Sequence, residues 1–166
     1  MISYFRNSSL LFVFVFSGCI GTLSGQATFI PRKSIYLELA GSGGIGSINY
    51  EKQFAQHLRT QYTWRAGFSL APIDKNNGTG LVFPLMINAL IGKKAHQLEL
   101  GIGQGITLTT KGHFFALGTA VLGYRYQKPD KRWFYRVSYT PLISYLADFQ
   151  YQHWAGISVG YTINRK

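Results

Sequence analysis

Between Leu58 and Ala71 the chain alternates with a period of two. Leu58, Thr60, Tyr62, Trp64, Ala66, Phe68 and Leu70 share one parity; Arg59, Gln61, Thr63, Arg65, Gly67, Ser69 and Ala71 share the other. Successive side chains of a β-strand point to opposite faces, so one face here is large and apolar and the other small or polar, with two arginines. The wet face of a soluble antiparallel sheet usually carries many long charged side chains. This one carries glycine, serine and threonine, as a cramped interior requires. Apolar outside and small-polar inside is the pattern of a transmembrane β-barrel.

The alternation recurs and predicts eight strands: Ser34–Gly41, Ile45–Phe54, Leu58–Ala71, Leu81–Ile91, His96–Thr109, Phe115–Gln127, Arg132–Tyr145 and Tyr151–Asn164. The fifth is as regular as the third, with Leu98, Leu100, Ile102, Ile106 and Leu108 opposing Glu99, Gly101, Gly103, Gly105 and Thr107. The fourth is the least regular, and Pro84 within it predicts a bulge or an edge-like position. Gly41–Gly44, Pro72–Gly80, Gly92–Ala95 and Lys128–Lys131 read as turns. Each apolar run is roughly the ten residues a tilted strand needs to cross a bilayer. The expected fold is all-β, an eight-stranded antiparallel up-and-down transmembrane β-barrel. An even strand number puts both termini on one side, and with periplasmic termini the links near His57, Lys93 and Pro129 fall in the periplasm as well. Tyr124, Tyr126, Trp133 and Tyr135 flank the last of these and are expected to form part of an aromatic girdle at that interface.

The inward parity carries Glu38, Glu51, Glu99, Arg59, Arg65, Arg125 and Arg136. An eight-stranded barrel is just wide enough for side chains to fill it. Unpaired buried charges are costly, so these seven are expected to form an ion-pair and hydrogen-bond network that plugs the lumen. The competing reading of the same residues is a narrow ion path, which needs a continuous water column.

Ahead of the strands, residues 1–27 read as a secretory signal peptide. Arg6 supplies the positive start, Leu10–Phe16 the apolar segment, and Gly25 and Ala27 the small residues before the cut. The barrel domain is then 28–166. Phe16-Ser17-Gly18-Cys19 also resembles a lipoprotein box, with phenylalanine in place of the usual aliphatic residue, which leaves lipidation of Cys19 open. Cys19 is the only cysteine of the chain, which excludes an intrachain disulfide scaffold.

Composition agrees with this pattern. The 166 residues include 19 Gly, 12 Phe, 11 Tyr and 3 Trp, and only 14% are charged. A net charge of +11 raises the question of nucleic acid. The basic residues are dispersed, many of them in turns, which favours anionic lipid headgroups at the rims over a nucleic-acid partner.

No enzyme motif emerges, and no cofactor or metal is expected. His57, His96, His113 and His153 are scattered near strand ends without metal-ligand spacing. No His-x-Ser pair lies on a strand face, as a lipid-modifying acyl transferase or hydrolase would need. Gly101-x-Gly103-x-Gly105 sits within a strand with no helix after it, so it is not a nucleotide fingerprint.

The segments SIYLELAG, GIGSINYEKQF, YTWRAGFS, FPLMINALIGKKAHQLELGIG, VLGYRYQ, WFYRVSYTPL and GISVGYTI together resemble small outer-membrane β-barrel proteins of Bacteroidetes-type bacteria. The resemblance implies a fold and an outer-membrane location; it carries no functional residues. The last strand also resembles the signal read by barrel-assembly machinery, with Tyr161-x-Ile163 as its ending, although Asn164-Arg165-Lys166 follow and Ser158 replaces a frequent glycine. The expected partners are outer-membrane lipid and that machinery during biogenesis, and the expected state is a monomer with a structural, adhesive or small-pore role. The main rival is a secreted soluble barrel of the lipocalin kind, with Trp64, Phe68 and Leu100 turned inward around an apolar ligand. Its outer face would carry few charges to keep it soluble.

Overall fold

The computed structural model describes residues 30–74, 78–144 and 150–164. The predicted leader, Cys19 and its lipoprotein box therefore lie outside the described residues. The strands are β1 (Lys33–Leu39), β2 (Gly46–His57), β3 (Thr60–Asp74), β4 (Gly78–Lys93), β5 (His96–Thr109) and β6 (Phe114–Tyr126). Two strands follow in two pieces each: β7 (Trp133–Tyr139 and Leu142–Ser144) and β8 (Gln150–Gln152 and Ala155–Asn164). Each strand pairs antiparallel with the next, and β1 pairs with β8, so the sheet closes on itself as an eight-stranded barrel. Lys33 N donates to Asn164 Oδ1 at 2.7 Å across this seam.

The two broken strands keep their register through the break. Both pieces of β7 pair with β6, from Tyr126↔Tyr135 to Leu117↔Ser144. Pro141 lies in the gap, where its missing N–H removes a ladder bond. Thr140 N still donates to Trp154 O at 2.8 Å, bridging the corresponding gap in β8.

Pro84 does not cause the bulge its position predicts. It pairs with Gly105 in an unshifted β4–β5 ladder. On the other side the β3–β4 pairing lapses between Ala66↔Leu85 and Ser69↔Val82 and resumes in register. Gly67 provides the space: a Cβ there would lie 2.9 Å from Pro84 Cγ.

A bulge falls in β2, between Gln53 and Ala55, and the strand continues to His57. An extra residue shifts the face parity, so alternation stops reading just where the strand goes on. Leu58 and Arg59 then make a two-residue turn between His57 and Thr60, with Leu58 at φ 49°. They are not the start of β3.

Inward and outward faces differ along every strand. In β1 the inward Ser34, Tyr36 and Glu38 are buried while Ile35, Leu37 and Leu39 are 46–61% exposed. Trp64, Phe68 and Leu100 all point outward and are exposed. This corrects the soluble lipocalin arrangement, which needs them inside.

The small inward residues have a packing reason. A Cβ on Gly160 would fall 2.2 Å from Phe134 Cζ, and one on Gly101 would fall 2.0 Å from Asn88 Oδ1. Glycine on one strand makes room for a large side chain from its neighbour, which lets so narrow a cylinder hold arginines and aromatics.

Candidate functional site in the barrel lumen

β7 delivers Arg136 to the middle of the lumen. Its Nη2 lies 2.7 Å from Glu38 Oε1 of β1, and its Nη1 lies 3.0 Å from Glu99 Oε1 of β5. Nε and Nη2 both donate to Ser158 Oγ of β8, at 3.2 and 3.0 Å. Its guanidinium also stands 4.6 Å from the Tyr36 ring centroid. Such charge-assisted bonds are the strong ones, and one planar fork here serves two carboxylates.

Arg65 of β3 extends the group. Its Nη1 donates to Tyr36 Oη at 2.9 Å and lies 3.8 Å from Glu38 Oε1. Its Nη2 donates to Ser42 Oγ at 2.7 Å and also contacts Met86 Sδ. Glu38 Oε2 accepts from Ser42 at 3.4 Å and Ser47 at 3.3 Å. Ser42 belongs to the β1–β2 turn, and it is buried because that turn folds into the barrel. Gly41 permits this at φ 100°, where a Cβ would also strike the Glu38 carboxylate.

Toward the end holding β1's start and β8's finish, the terminal end, a second pair forms. Arg125 Nη1 of β6 lies 2.8 Å from Glu51 Oε1 of β2. Arg125 also sits over the Phe134 ring, 3.8 Å from its centroid. Arg125 and Arg136 are direct cross-strand partners, an arrangement that repels. Their different partners separate them: Arg136 reaches Glu38 and Glu99, Arg125 reaches Glu51.

Six of the seven expected lumen charges are therefore buried inside: Glu38, Glu51, Glu99, Arg65, Arg125 and Arg136. Arg59 is not among them. It lies exposed in the β2–β3 turn, because the strand parity that placed it inside does not extend through that turn. Its removal leaves three acids against three bases among the described lumen residues. These three are all the glutamates of the chain. Sequence reasoning did not single out Tyr36 and Phe134, which are 1% and 0% exposed and pack edge to face at 5.8 Å. The small Gly160 on the neighbouring strand was the available signal for Phe134.

Two spaces flank the network. The loop-end cup, about 520 Å³, is lined by Ser42, Val82, Thr107, Phe115, Leu142 and Trp154 among others, with no charged side chain among the described residues. The terminal-end mouth, about 240 Å³, is lined by Arg32, Gln61, Lys94, Gln97, Gln127 and Lys128 with Gly92 and Pro129.

Outside, Tyr124, Trp133 and Tyr135 are exposed near the terminal end, with Tyr126 partly covered beside them. Trp133 packs on Tyr161 at 5.3 Å, and His96 sits between Tyr124 and Tyr126, at 6.0 and 5.2 Å. Tyr50–Trp64 at 5.5 Å and Phe54–Tyr62 at 6.4 Å add further rings on β2 and β3. The other histidines also lie exposed at or near strand ends. His153 Nδ1 and Tyr151 Oη each sit 2.6 Å from Tyr139 Oη at the loop end.

With this geometry established, two solved structures compare directly. The outer membrane protein Ail of Yersinia pestis, determined in a phospholipid bilayer nanodisc, aligns with a TM-score of 0.54 at 12% identity, over 81% of this chain and 100% of Ail. The N-terminal β-barrel domain of Pseudomonas aeruginosa OprF aligns with a TM-score of 0.55 at 10% identity, over 80% of this chain and 96% of that domain. The chain shares its fold with both. No family model matches the sequence, and no curated protein matches it. At such identities no residue role transfers from either barrel, and the chemistry of the lumen stands on its own side chains.

Proposed function

We propose that the protein is an integral outer-membrane β-barrel with a structural role, its lumen plugged by the Arg136 network. In this reading residues 1–27 are an export leader, barrel-assembly machinery inserts the chain, and the barrel works as a monomer in a Bacteroidetes-type cell. It carries out no catalysis.

The observation that carries the reading is the outward face. Ile35, Leu37, Ile48, Leu100, Ile102, Val137 and Ile157 are all more than 40% exposed, on strands that run right round the cylinder. A contiguous apolar belt of that extent far exceeds the few hundred Å² a soluble monomer shows, and lipid tails are the solvent that matches it. The aromatic residues near its terminal edge fit a headgroup boundary. The plug is supported by the burial of the central side chains: Glu38, Arg65, Glu99 and Arg136 are each at most 2% exposed.

The test is a gel shift of unboiled against boiled outer-membrane fraction, followed by planar-bilayer recording. Faster migration before boiling and no steady conductance are expected. Recovery as a soluble protein without detergent overturns the membrane reading; a stable open channel overturns the plug.

A further inference from the structure

We propose that Lys33 and Lys52 hold the headgroup of an anionic phospholipid against the outer face of the barrel, in the leaflet at the terminal end. The inference rests on the membrane reading above and adds to it a lipid class and a place. Many basic residues of the chain sit in turns. These two sit within β1 and β2, on the outward parity, since Ser34, Glu51 and Gln53 beside them are buried. Lys33 pairs directly with Lys52. Just beyond them Gln53 N donates to Arg32 O at 2.8 Å. That bond makes the two lysines a non-hydrogen-bonded pair, the kind whose side chains stand closest. Like charges directly opposite each other repel.

The acidic side chains of the chain, six in all, are placed elsewhere. Glu38, Glu51 and Glu99 are buried in the lumen. Asp130 lies 3.9 Å from Lys131. Asp74 is the last residue of β3, at the loop end. Asp148 falls in sequence between Ser144 and Gln150, which pair with each other at that same end. Lipid is the remaining source of negative charge, and the neighbours of the pair put a headgroup within reach. Trp64 of β3 is the cross-strand partner of Lys52, and the Tyr50–Trp64 and Phe54–Tyr62 ring pairs border it. Such rings sit at headgroup level. A lysine among them lays its stem along the apolar surface and lifts its ammonium to the phosphates. On the other side of Lys33, Arg132 O accepts from Thr162 N at 2.8 Å, and Thr162 pairs with Ser34. Arg132 Nη1 donates to the outward Tyr161 Oη at 3.2 Å. Three cations, on β2, on β1 and just before β7, thus share one sector of the aromatic boundary. A zwitterionic lipid brings its own ammonium into that sector, and an anionic phospholipid does not.

The experiment uses the full-length mature barrel carrying Trp133→Phe and Trp154→Phe, which leaves Trp64 as the reporter beside Lys52. It is folded into phosphatidylcholine vesicles. Phosphatidylcholine or phosphatidylglycerol, brominated on the acyl chains near the carbonyls, is added in turn, and quenching of Trp64 gives the relative affinity of each lipid at that spot. The phosphatidylglycerol is expected to win by about fivefold or more, and its preference should shrink in high salt. Lys33→Gln/Lys52→Gln should bring the two lipids near parity. Lys93→Gln/Lys94→Gln removes as much charge at the same end, at the β4–β5 turn, and should keep the preference. The unboiled gel shift checks that each variant folds. A Trp64 that neither lipid quenches overturns the membrane reading and the site together. Equal quenching by both lipids, a preference that Lys33→Gln/Lys52→Gln keeps, or one that Lys93→Gln/Lys94→Gln also abolishes overturns the site alone.

Discussion

Arg136 Nη2 and Glu38 Oε1 meet at 2.7 Å between side chains that are both fully buried, although 98 residues separate them in sequence. Arg136 also holds Glu99, so the two ends of the pair are not equivalent. Truncating Arg136 takes the salt-bridge partner from Glu99 and leaves Glu38 only the longer contact with Arg65, at 3.8 Å. Neutralising Glu38 leaves Arg136 still paired. Arg136→Met should therefore cost on the order of 3–5 kcal/mol, and Glu38→Gln clearly less. Urea unfolding in micelles, followed by tryptophan fluorescence, orders the two. Equal losses would mean that Glu99 is not a true second partner.

Gly160 is small because Phe134 occupies the position its side chain would take. Gly160→Ala should destabilise the barrel by roughly 1–3 kcal/mol through overpacking. Phe134→Leu placed in the same chain should recover part of that loss. The heat-modifiable fraction on a gel reads both, and a rescue of zero would assign the defect to backbone rather than packing.

Leu58 holds a left-handed backbone at φ 49° with its side chain 86% exposed. A left-handed non-glycine residue costs about 1–2 kcal/mol, and this one gains little from burial. Leu58→Gly should raise the unfolding free energy by about 0.5–1 kcal/mol once glycine's greater unfolded freedom is counted, and with it the unfolding midpoint. A lowered midpoint would show that Leu58 packs against lipid.

Ile102 is 72% exposed in the middle stretch of β5. In water an arginine there would be harmless. In a bilayer Ile102→Arg should cost about 2–4 kcal/mol and reduce the folded yield in vesicles. Equal yields for Ile102→Arg and Ile102→Ala would argue that the face is not lipid-covered.

The faces of this barrel were legible because both differ in chemistry and the period is two. Glu99 and Gly101 fall inside and Leu98 and Leu100 outside, as alternation requires. Strand ends were less legible. Leu58-Arg59 has none of the residues that mark turns, and the bulge at β2 hides that strand's continuation. Arg59 was misplaced for that reason. Alternation also gives a side chain's face without its depth or neighbour. Nothing in the sequence tells Arg136 to choose Glu38 and Glu99, or Arg125 to choose Glu51. Those choices follow from barrel closure, which brings β1, β5 and β7 round one axis.

The seam between β1 and β8 also fixes an order of events. β1 gains its second neighbour only when Lys33 meets Asn164, at the far end of the barrel sequence. Every intervening strand must be synthesised and delivered before the cylinder can shut, and such distant pairings are slow to form. Until then the edge of β1 is unpaired and the apolar belt has no fixed inside or outside. Until closure that edge is open to pairing with another chain, and the last strand acts as a clasp that ends the vulnerable period.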